Sequence, residues 1–196
     1  MFDGILSGFA EIRVPATNLV RIPRVPAPAL RDAVACAMRV KRPDFDVAVE
    51  RAAFDTVFAE RAPDPVLAAD MATLARDFAA ATGACALRAR LERIEGPACK
   101  LFHVDYVECR LITTYIGAGT EYLADADVVR ERLGQGTNRG VKKPGAAVRH
   151  LEEFEIGLFK GEAWPGNRGK GIVHRSPPAD GASPRLVFVL DALCGH

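Results

Sequence analysis

The sequence predicts an α+β fold in which N-terminal helices pack on a jelly roll, or double-stranded β-helix. Residues 28–82 carry apolar side chains at helical spacing, and from residue 87 onward apolar and polar residues alternate as in strands. Helices followed by about seven or eight short strands are typical of α+β chains, and such strands can close as a jelly roll. We expect one domain over residues 1–196, with 1–84 mainly helical and 85–196 forming the jelly roll.

Three helices are predicted in the N-terminal half, after a proline-containing irregular segment at 1–27. The first spans 28–40, because proline is favoured in a first helical turn. The second spans 44–62, with its apolar residues on one face. The third spans 64–82, because Asp64-Pro65 provides a cap and an N1 proline and a glycine follows at 83.

The second half is predicted to be built from strands, because it is rich in β-branched and aromatic residues and is divided by glycine and proline. We expect a short helix at 125–133, a surface loop at 134–147 and a glycine-rich loop at 161–171. The predicted strands are 87–94, 100–105, 107–116, 121–123, 154–160, 172–175 and 185–190.

The composition is that of an ordinary globular protein. Apolar residues make up 49% of the 196 positions and charged residues 26%, and the formal net charge of +1 gives no general reason to expect nucleic acid or a membrane surface as a partner. We expect no signal peptide, and no apolar run approaches the roughly 18 residues of a membrane span. Five scattered cysteines without a CxxC motif predict reduced thiols in a cytoplasmic protein.

The motif His103-Val104-Asp105 is the strongest functional signal in the chain. On a strand, its two ligand-type side chains point the same way. His174, in a later predicted strand, completes a set of two histidines and one carboxylate, which can hold non-haem Fe(II) with positions left open for substrates. Arg185 begins the last predicted strand, and its planar guanidinium suits the far carboxylate of 2-oxoglutarate.

These motifs resemble the Fe(II)/2-oxoglutarate dioxygenase superfamily, in the style of prolyl hydroxylases, over roughly residues 85–192. More closely, they resemble a bacterial family of unknown function. The superfamily resemblance rests on 103–105, 111–116, 119–121, 157–161, His174 and Arg185, and the closer one on Phe102-His103-Val104-Asp105, Lys160-Gly161-Glu162-Ala163-Trp164-Pro165-Gly166-Asn167 and Val173-His174-Arg175-Ser176-Pro177-Pro178.

The resemblance implies that His103, Asp105 and His174 hold the metal and that Arg185 binds the co-substrate carboxylate. The superfamily often adds a hydroxyl group near this arginine, sometimes two residues after it, where this chain has Val187. The hydroxyl would then come from Tyr115, Thr113 or Thr114. Lys160 is a second candidate for the co-substrate carboxylate, with a solvated lysine as the alternative.

The loop at 161–171 contains Trp164, the only tryptophan of the chain. A large aromatic residue in a glycine-rich loop before a ligand strand is consistent with a lid over the site, and equally with a core residue that fixes the loop. We assign Trp164 and Asn167, together with Arg175, to lid or substrate contacts.

The function that the sequence favours is an Fe(II)- and 2-oxoglutarate-dependent dioxygenase, a hydroxylase that uses O₂ and acts on a small-molecule or peptide substrate. A cupin-like metalloenzyme that does not use 2-oxoglutarate is one alternative. It would normally have His-x-His and a nearby glutamate, where this chain has Asp105 and Glu108. The other alternative is a non-catalytic metal-binding protein, since imidazole and carboxylate also bind zinc.

Overall fold

The structure is a computed structural model that describes residues 8–96, 98–178 and 183–193. Within these residues, helices and antiparallel strands form a mixed α/β architecture. The helices are α1 (Pro28–Ala37), α2 (Phe54–Arg61) and α3 (Pro65–Thr82). The strands are β1 (Leu19–Ile22), β2 (Phe45–Glu50), β3 (Ala86–Ile94), β4 (Cys109–Ile116), β5 (Glu121–Tyr122), β6 (Arg149–His150), β7 (Ile156–Lys160), β8 (His174–Arg175) and β9 (Arg185–Ala192).

The strands form two antiparallel sheets. The large sheet has the order β1-β7-β4-β9-β3-β2, and the small sheet has the order β6-β5-β8. The segment expected to be mainly helical therefore also supplies both edge strands of the large sheet, β1 and β2.

The two faces of the large sheet have different partners, and residue alternation along β9 shows this. Leu186 and Phe188 belong to the core that the sheet shares with the helices, and the Phe188 ring lies 5.8 Å from that of Phe58 in α2. Val187 and Val189 point to the opposite face, where they pack with Tyr122 of the small sheet. The large sheet thus lies between the helices and the small sheet, because neighbouring side chains of a strand point to opposite faces.

Helix α3 begins and ends where its sequence predicts. The Asp64 side chain accepts hydrogen bonds from the backbone N–H groups of Val66 and Leu67, at 2.7 and 3.4 Å. Gly83 ends the helix with a φ of +81°, a conformation that glycine adopts without steric cost.

Two predicted helices are wrong in part. Residues 45–50 of the expected helix 44–62 form the edge strand β2, which pairs with β3 over six residues, and the helix begins only at Phe54. The segment Phe45–Glu50 has larger apolar side chains at alternate positions, Phe45, Val47 and Val49, so it can pair with the open edge of β3. The expected helix 125–133 consists of two short 3-10 turns, Asp125–Asp127 and Arg130–Arg132.

Two further observations concern the cysteines and the helices. Cys36, Cys99 and Cys109 are free thiols, whereas Cys85 is disulfide-bonded, so the prediction of reduced thiols is wrong for this residue. Among the described residues, no helix combines the length and the apolar character that crossing a membrane requires.

Candidate metal centre

The structure brings the three predicted ligand side chains together. One ligand atom from each of His103, Asp105 and His174 lies within 4.8 Å of the others. Nε2 of His103 is 3.7 Å from Oδ1 of Asp105, and Nε2 of His174 is 3.2 Å from Oδ2 of the same carboxylate.

A short antiparallel bridge places the two histidines side by side. The backbone N–H of each residue donates to the carbonyl of the other over 3.0 Å. Their ring centroids lie 4.5 Å apart as a result. The predicted strand 100–105 is thereby reduced to this bridge at His103, which is sufficient to fix the position of one ligand against the other.

Backbone carbonyls fix the orientation of both imidazole rings. Nδ1 of His103 lies 2.9 Å from the carbonyl oxygen of Leu101, and Nδ1 of His174 lies 3.0 Å from that of Ile172. A carbonyl can only accept, so each neutral ring carries its proton on Nδ1 and leaves the lone pair of Nε2 free. Metal-binding histidines are oriented in this way by the hydrogen bond of their second nitrogen.

The environment of Asp105 fits a bound cation. Oδ2 of Asp105 is buried and accepts no hydrogen bond from the described residues. When His174 is neutral with its proton on Nδ1, Nε2 and Oδ2 are two acceptors facing each other, an arrangement that is unfavourable unless a proton or a metal ion lies between them. Two neutral imidazoles and a carboxylate are also a suitable donor set for a divalent metal.

Arg110, a residue that sequence reasoning did not single out, holds the second oxygen of Asp105. Nη1 of Arg110 donates to Oδ1 of Asp105 over 2.6 Å. Nε and Nη2 of the same guanidinium donate to the carboxylate of Asp191 over 2.5 and 2.9 Å. Burial opposes the charge of Arg110, but these two carboxylates raise its pKa above the ordinary value.

The protonation states favour metal binding. Burial by itself would raise the pKa of Asp105, but in the metal-free protein the hydrogen bond and charge of a protonated His174, together with the charge of Arg110, lower it to about 2. Burial, and then the neighbouring charge of His174, lower the pKa of His103. The carboxylate is therefore ionised and His103 is neutral near pH 7, which are the forms that bind metal.

Arg185 is a buried cation beside this centre. Its side chain contacts Thr114, with 3.4 Å from Nη2 to Oγ1, and its Nε has no hydrogen-bond partner among the described residues. No carboxylate of the described residues lies within ion-pair distance of it. Burial lowers the pKa of Arg185 to about 10, against the opposing charge of Glu92. A buried guanidinium without a carboxylate partner is a suitable site for an anionic ligand.

Arg185 and both histidines line one cavity of about 120 Å³, which lies between the two sheets. The cavity therefore suits a small acid. The wall includes Arg90, Arg110, one acidic residue, Glu92, and apolar residues from β4 and β9.

Three predicted co-substrate residues do not line the cavity. Tyr115 lies in the core beside the helices, where its hydroxyl donates to Asp70 of α3 over 2.7 Å. Thr113 alternates in phase with Tyr115 along β4 and is fully buried. Lys160 is also buried, and its Nζ donates to the carbonyl of Val14 over 3.0 Å. Thr114 does not line the cavity either, but among the three hydroxyl candidates it is the one that contacts Arg185.

The loop 161–171 connects two ligand segments. The backbone N–H of Glu162 donates to the carbonyl of Asp105 over 2.9 Å, and its carboxylate accepts from the N–H of Gly171 over 3.0 Å. Gly161 is required at the start of the loop, since an added Cβ would lie 2.1 Å from a carbonyl oxygen. The loop therefore braces Asp105 against the segment that leads to His174.

Neither predicted lid residue of this loop lines the cavity. Trp164 packs against the core beside the helices, with Nζ of Lys160 4.9 Å above its ring. Asn167 is buried, and its side-chain amide donates to the carbonyl of Gly161 over 3.0 Å. Arg175, by contrast, lines the cavity.

Comparison with known proteins gives a family and a fold. A family model described as a protein of unknown function (DUF1826) matches residues 6–191. Comparison with curated proteins gave no match. Among solved structures, a prolyl-4-hydroxylase from Pseudomonas putida is similar, with 12% identity, a TM-score of 0.50 and coverage of 97% of this chain and 100% of that one.

A viral collagen prolyl hydroxylase from Paramecium Bursaria Chlorella virus-1 is also similar. It has 9% identity and a TM-score of 0.52, over 90% of this chain and 91% of that one. At these identities the likeness shows a shared fold, which supports the resemblance found in the sequence.

Proposed function

The chain belongs to the DUF1826 family of proteins of unknown function, and we propose that it is an Fe(II)- and 2-oxoglutarate-dependent oxygenase, a hydroxylase. The observation that carries this proposal is the single cavity lined by both candidate histidine ligands and by Arg185, a buried cation. A metal site by itself does not need a buried cation beside it. A carboxylate co-substrate does, because the cation pairs with its negative charge.

We also propose that the two sheets are the two halves of a jelly roll. The fold shared with two prolyl hydroxylases supports this, as does the position of the cavity between the sheets. In such a barrel, ligand side chains from different strands point inward, toward one interior site.

His103, Asp105 and His174 would hold the metal. Their chemistry fits Fe(II), which supplies the oxidising power for O₂-dependent hydroxylation when it is bound. The three side chains are oriented before any metal arrives, because two backbone carbonyls and the Arg110 guanidinium fix them. Three protein ligands leave coordination positions for a chelating 2-oxo acid and for O₂.

Arg185 would bind the far carboxylate of 2-oxoglutarate. The residue is 6% exposed, so a carboxylate paired with it is shielded from water and the attraction between them is strong. Thr114 contacts the same guanidinium. It would supply the hydroxyl group that the superfamily often has two residues after this arginine, where this chain has Val187. Apolar side chains from β4 and β9 line the wall and exclude water from the reaction.

Two measurements test the proposal. We expect the protein to bind one Fe(II), or Mn(II) as a stable substitute, and to bind 2-oxoglutarate only when metal is present. The Fe(II)-loaded protein should convert 2-oxoglutarate to succinate and CO₂ in the presence of O₂, with increased rates when a substrate is added.

The outcomes separate the proposed function from its rivals. Tight metal binding with no affinity for 2-oxoglutarate would contradict the proposal and favour a cupin-like enzyme. Selective retention of zinc without any turnover would favour a non-catalytic metal-binding protein. The identity of the substrate, as a small molecule or a peptide, and the cytoplasmic location stay predictions.

A further inference from the structure

A cleft of about 580 Å³ adjoins the cavity of the metal centre. Arg175 and Ser176 line both spaces, so a molecule in the cleft would lie next to the ligand strand β8. The volume falls within the range of roughly 300–1,000 Å³ that is usual for small-molecule sites. The other residues of its wall come from 100–101, 136–139 and 177–178.

Arg175 is held rigidly at the junction of the two spaces. Its Nε donates to Oε2 of Glu121 over 2.6 Å, and its guanidinium carbon lies 4.4 Å from the ring centroid of Phe102. Neither Nη1 nor Nη2 donates to any of the described residues. A fixed guanidinium with two unused donors is pre-organised to bind a carboxylate or a phosphate through two hydrogen bonds.

The rest of the cleft adds positive charge. Lys100 and Arg139 both line it, and neither has a carboxylate partner within the described part of the chain. The described residues of its wall include no aspartate or glutamate. Because the whole chain has nearly balanced charge, with 26 basic and 25 acidic residues, this local excess is a property of the cleft.

Asn138 fixes the two walls of the cleft to each other and to the metal centre. Its Nδ2 donates to the carbonyl of Lys100 over 2.8 Å, and its Oδ1 accepts from the N–H of Phe102 over 2.7 Å. Phe102 directly precedes the ligand His103. The distance between the cleft and the metal centre is therefore set by hydrogen bonds.

We infer that the substrate of this oxygenase carries a compact anionic group, a carboxylate or a phosphate, and that the terminal nitrogens of Arg175 bind it while Lys100 and Arg139 attract it. The inference rests on the proposed function, because it takes the cleft as the place where the substrate lies beside the metal. An anion bound at Arg175 orients the remainder of the substrate toward the cavity.

The test uses small probes on the full-length chain labelled with ¹⁵N. Inorganic phosphate, acetate and the neutral acetamide are titrated separately, before and after addition of Zn(II), and amide shifts are followed by NMR. We expect saturable shifts at residues 136–139 and 175–176 with phosphate, acetate or both, and none with acetamide. A response to phosphate alone identifies a phosphate-bearing substrate, and a response to acetate alone a carboxylate-bearing one.

Variants separate a built site from general attraction. Arg175→Lys keeps the positive charge but loses the two parallel N–H donors of the guanidinium. Lys100→Gln combined with Arg139→Gln removes two positive charges from the wall of the cleft. Each should weaken probe binding roughly tenfold or more, the scale of one lost charged hydrogen bond. The matched control is Arg168→Gln combined with Lys170→Gln, two exposed residues outside the cleft, and it should leave binding unchanged.

The inference and the proposed function can fail separately. No shift at the cleft amides, or equal weakening in the control variant, overturns the anionic substrate even if 2-oxoglutarate binds at Arg185. Saturable binding of the anion in the cleft, together with failure of metal-dependent 2-oxoglutarate binding, retains the anion site and overturns the oxygenase.

Discussion

Arg110 donates a hydrogen bond from Nη1 to Oδ1 of Asp105 over 2.6 Å, and this leaves Oδ2 as the oxygen that faces His174. The same guanidinium is anchored by Asp191, so its position does not depend on Asp105. Because one carboxylate oxygen is already occupied, Asp105 should bind a metal through the other oxygen alone.

Arg110→Lys should therefore weaken metal binding by about 10- to 100-fold, the usual effect of losing a group that orients a ligand. The lysine keeps one positive charge but cannot bridge Asp105 and Asp191. Calorimetry with Mn(II) measures the affinity, and the visible spectrum of the Co(II)-loaded protein should change because Oδ1 becomes free to coordinate.

Arg90→Lys is the matched control for this prediction. Arg90 donates to Asp191 over 3.0 Å and has no contact with Asp105 in the described structure. Its replacement perturbs the same network without releasing Oδ1, so the affinity and the Co(II) spectrum should stay close to those of the parent. Equal losses in both variants would show that Arg110 acts only through general stability.

His103→Ala and His174→Ala should each abolish tight metal binding and leave the fold intact. Each removes one of only three protein ligands, whereas even the loss of an orienting partner costs about 10- to 100-fold. His150→Ala is the control, because His150 is exposed and pairs with Glu152 away from the cavity. Parent-like Fe(II) affinity in both ligand variants would mean that the three-residue site is assigned incorrectly.

Sequence reasoning singled out the three side chains that the structure brings together, because a His-x-Asp motif and a later histidine in a strand are visible in the sequence. His103 and Asp105 are two positions apart, and His174 belongs to a short apolar strand bounded by glycine and proline. Arg110 gave no comparable signal, because its role depends on one guanidinium shared between Asp105 and Asp191, and Asp191 lies 81 positions away in the chain. Which strands become neighbours is decided by the packing of the whole sheet.

The same limit applies to the expected co-substrate residues. Three hydroxyl candidates, Thr113, Thr114 and Tyr115, are consecutive, so only the face that β4 turns toward the cavity distinguishes them. That face depends on the pairing of β4 with β9. Thr114 lies opposite Val187, which is two residues after Arg185 and therefore on the same face of β9. Residues 44–62 fit both a helical and a strand spacing of apolar residues. Phe45–Glu50 form a strand because they pair with the open edge of β3.

Arg185→Ala should weaken the binding of 2-oxoglutarate roughly thirtyfold or more and leave metal affinity nearly unchanged. Loss of the charged partner of a buried carboxylate typically costs about 2–5 kcal/mol. Calorimetric titration of the Mn(II)-loaded protein with 2-oxoglutarate measures the effect. Arg88→Ala, an exposed arginine on the neighbouring strand β3, should have parent-like affinity. The same affinity in the Arg185 variant would place the co-substrate elsewhere or exclude it.

Thr114→Val and Tyr115→Phe form a matched pair that separates two hydroxyl groups on one strand. Thr114→Val should weaken 2-oxoglutarate binding about two- to fivefold, because a long hydrogen bond to Arg185 is worth roughly 0.5–1 kcal/mol. Tyr115→Phe should leave that affinity unchanged and lower the free energy of unfolding by about 1 kcal/mol, since its hydroxyl bonds Asp70 in the core. Titration and thermal unfolding of both variants check this, and reversed effects would contradict the assigned faces of β4.

Trp164 reports on the loop 161–171, and we expect its fluorescence to stay constant when ligands bind. The side chain packs against the core beside the helices, on the opposite side of the large sheet from the cavity. Glu162 and Asn167 hold the loop closed through backbone groups, so metal binding has no flexible segment to order there. Zn(II), which has no redox chemistry, followed by 2-oxoglutarate, should leave the emission peak and intensity as in the metal-free protein.

The control for this experiment must show that the probe responds to its surroundings. Lys160→Met removes the ammonium group that lies 4.9 Å above the Trp164 ring and keeps a side chain of similar length. The emission of this variant should therefore differ from that of the parent, because a cation over an indole ring perturbs its electrons. A constant parent spectrum beside a shifted Lys160→Met spectrum would assign Trp164 to the static brace between Asp105 and His174. A parent spectrum that changes with Zn(II) and again with 2-oxoglutarate would show instead that the loop moves as a lid.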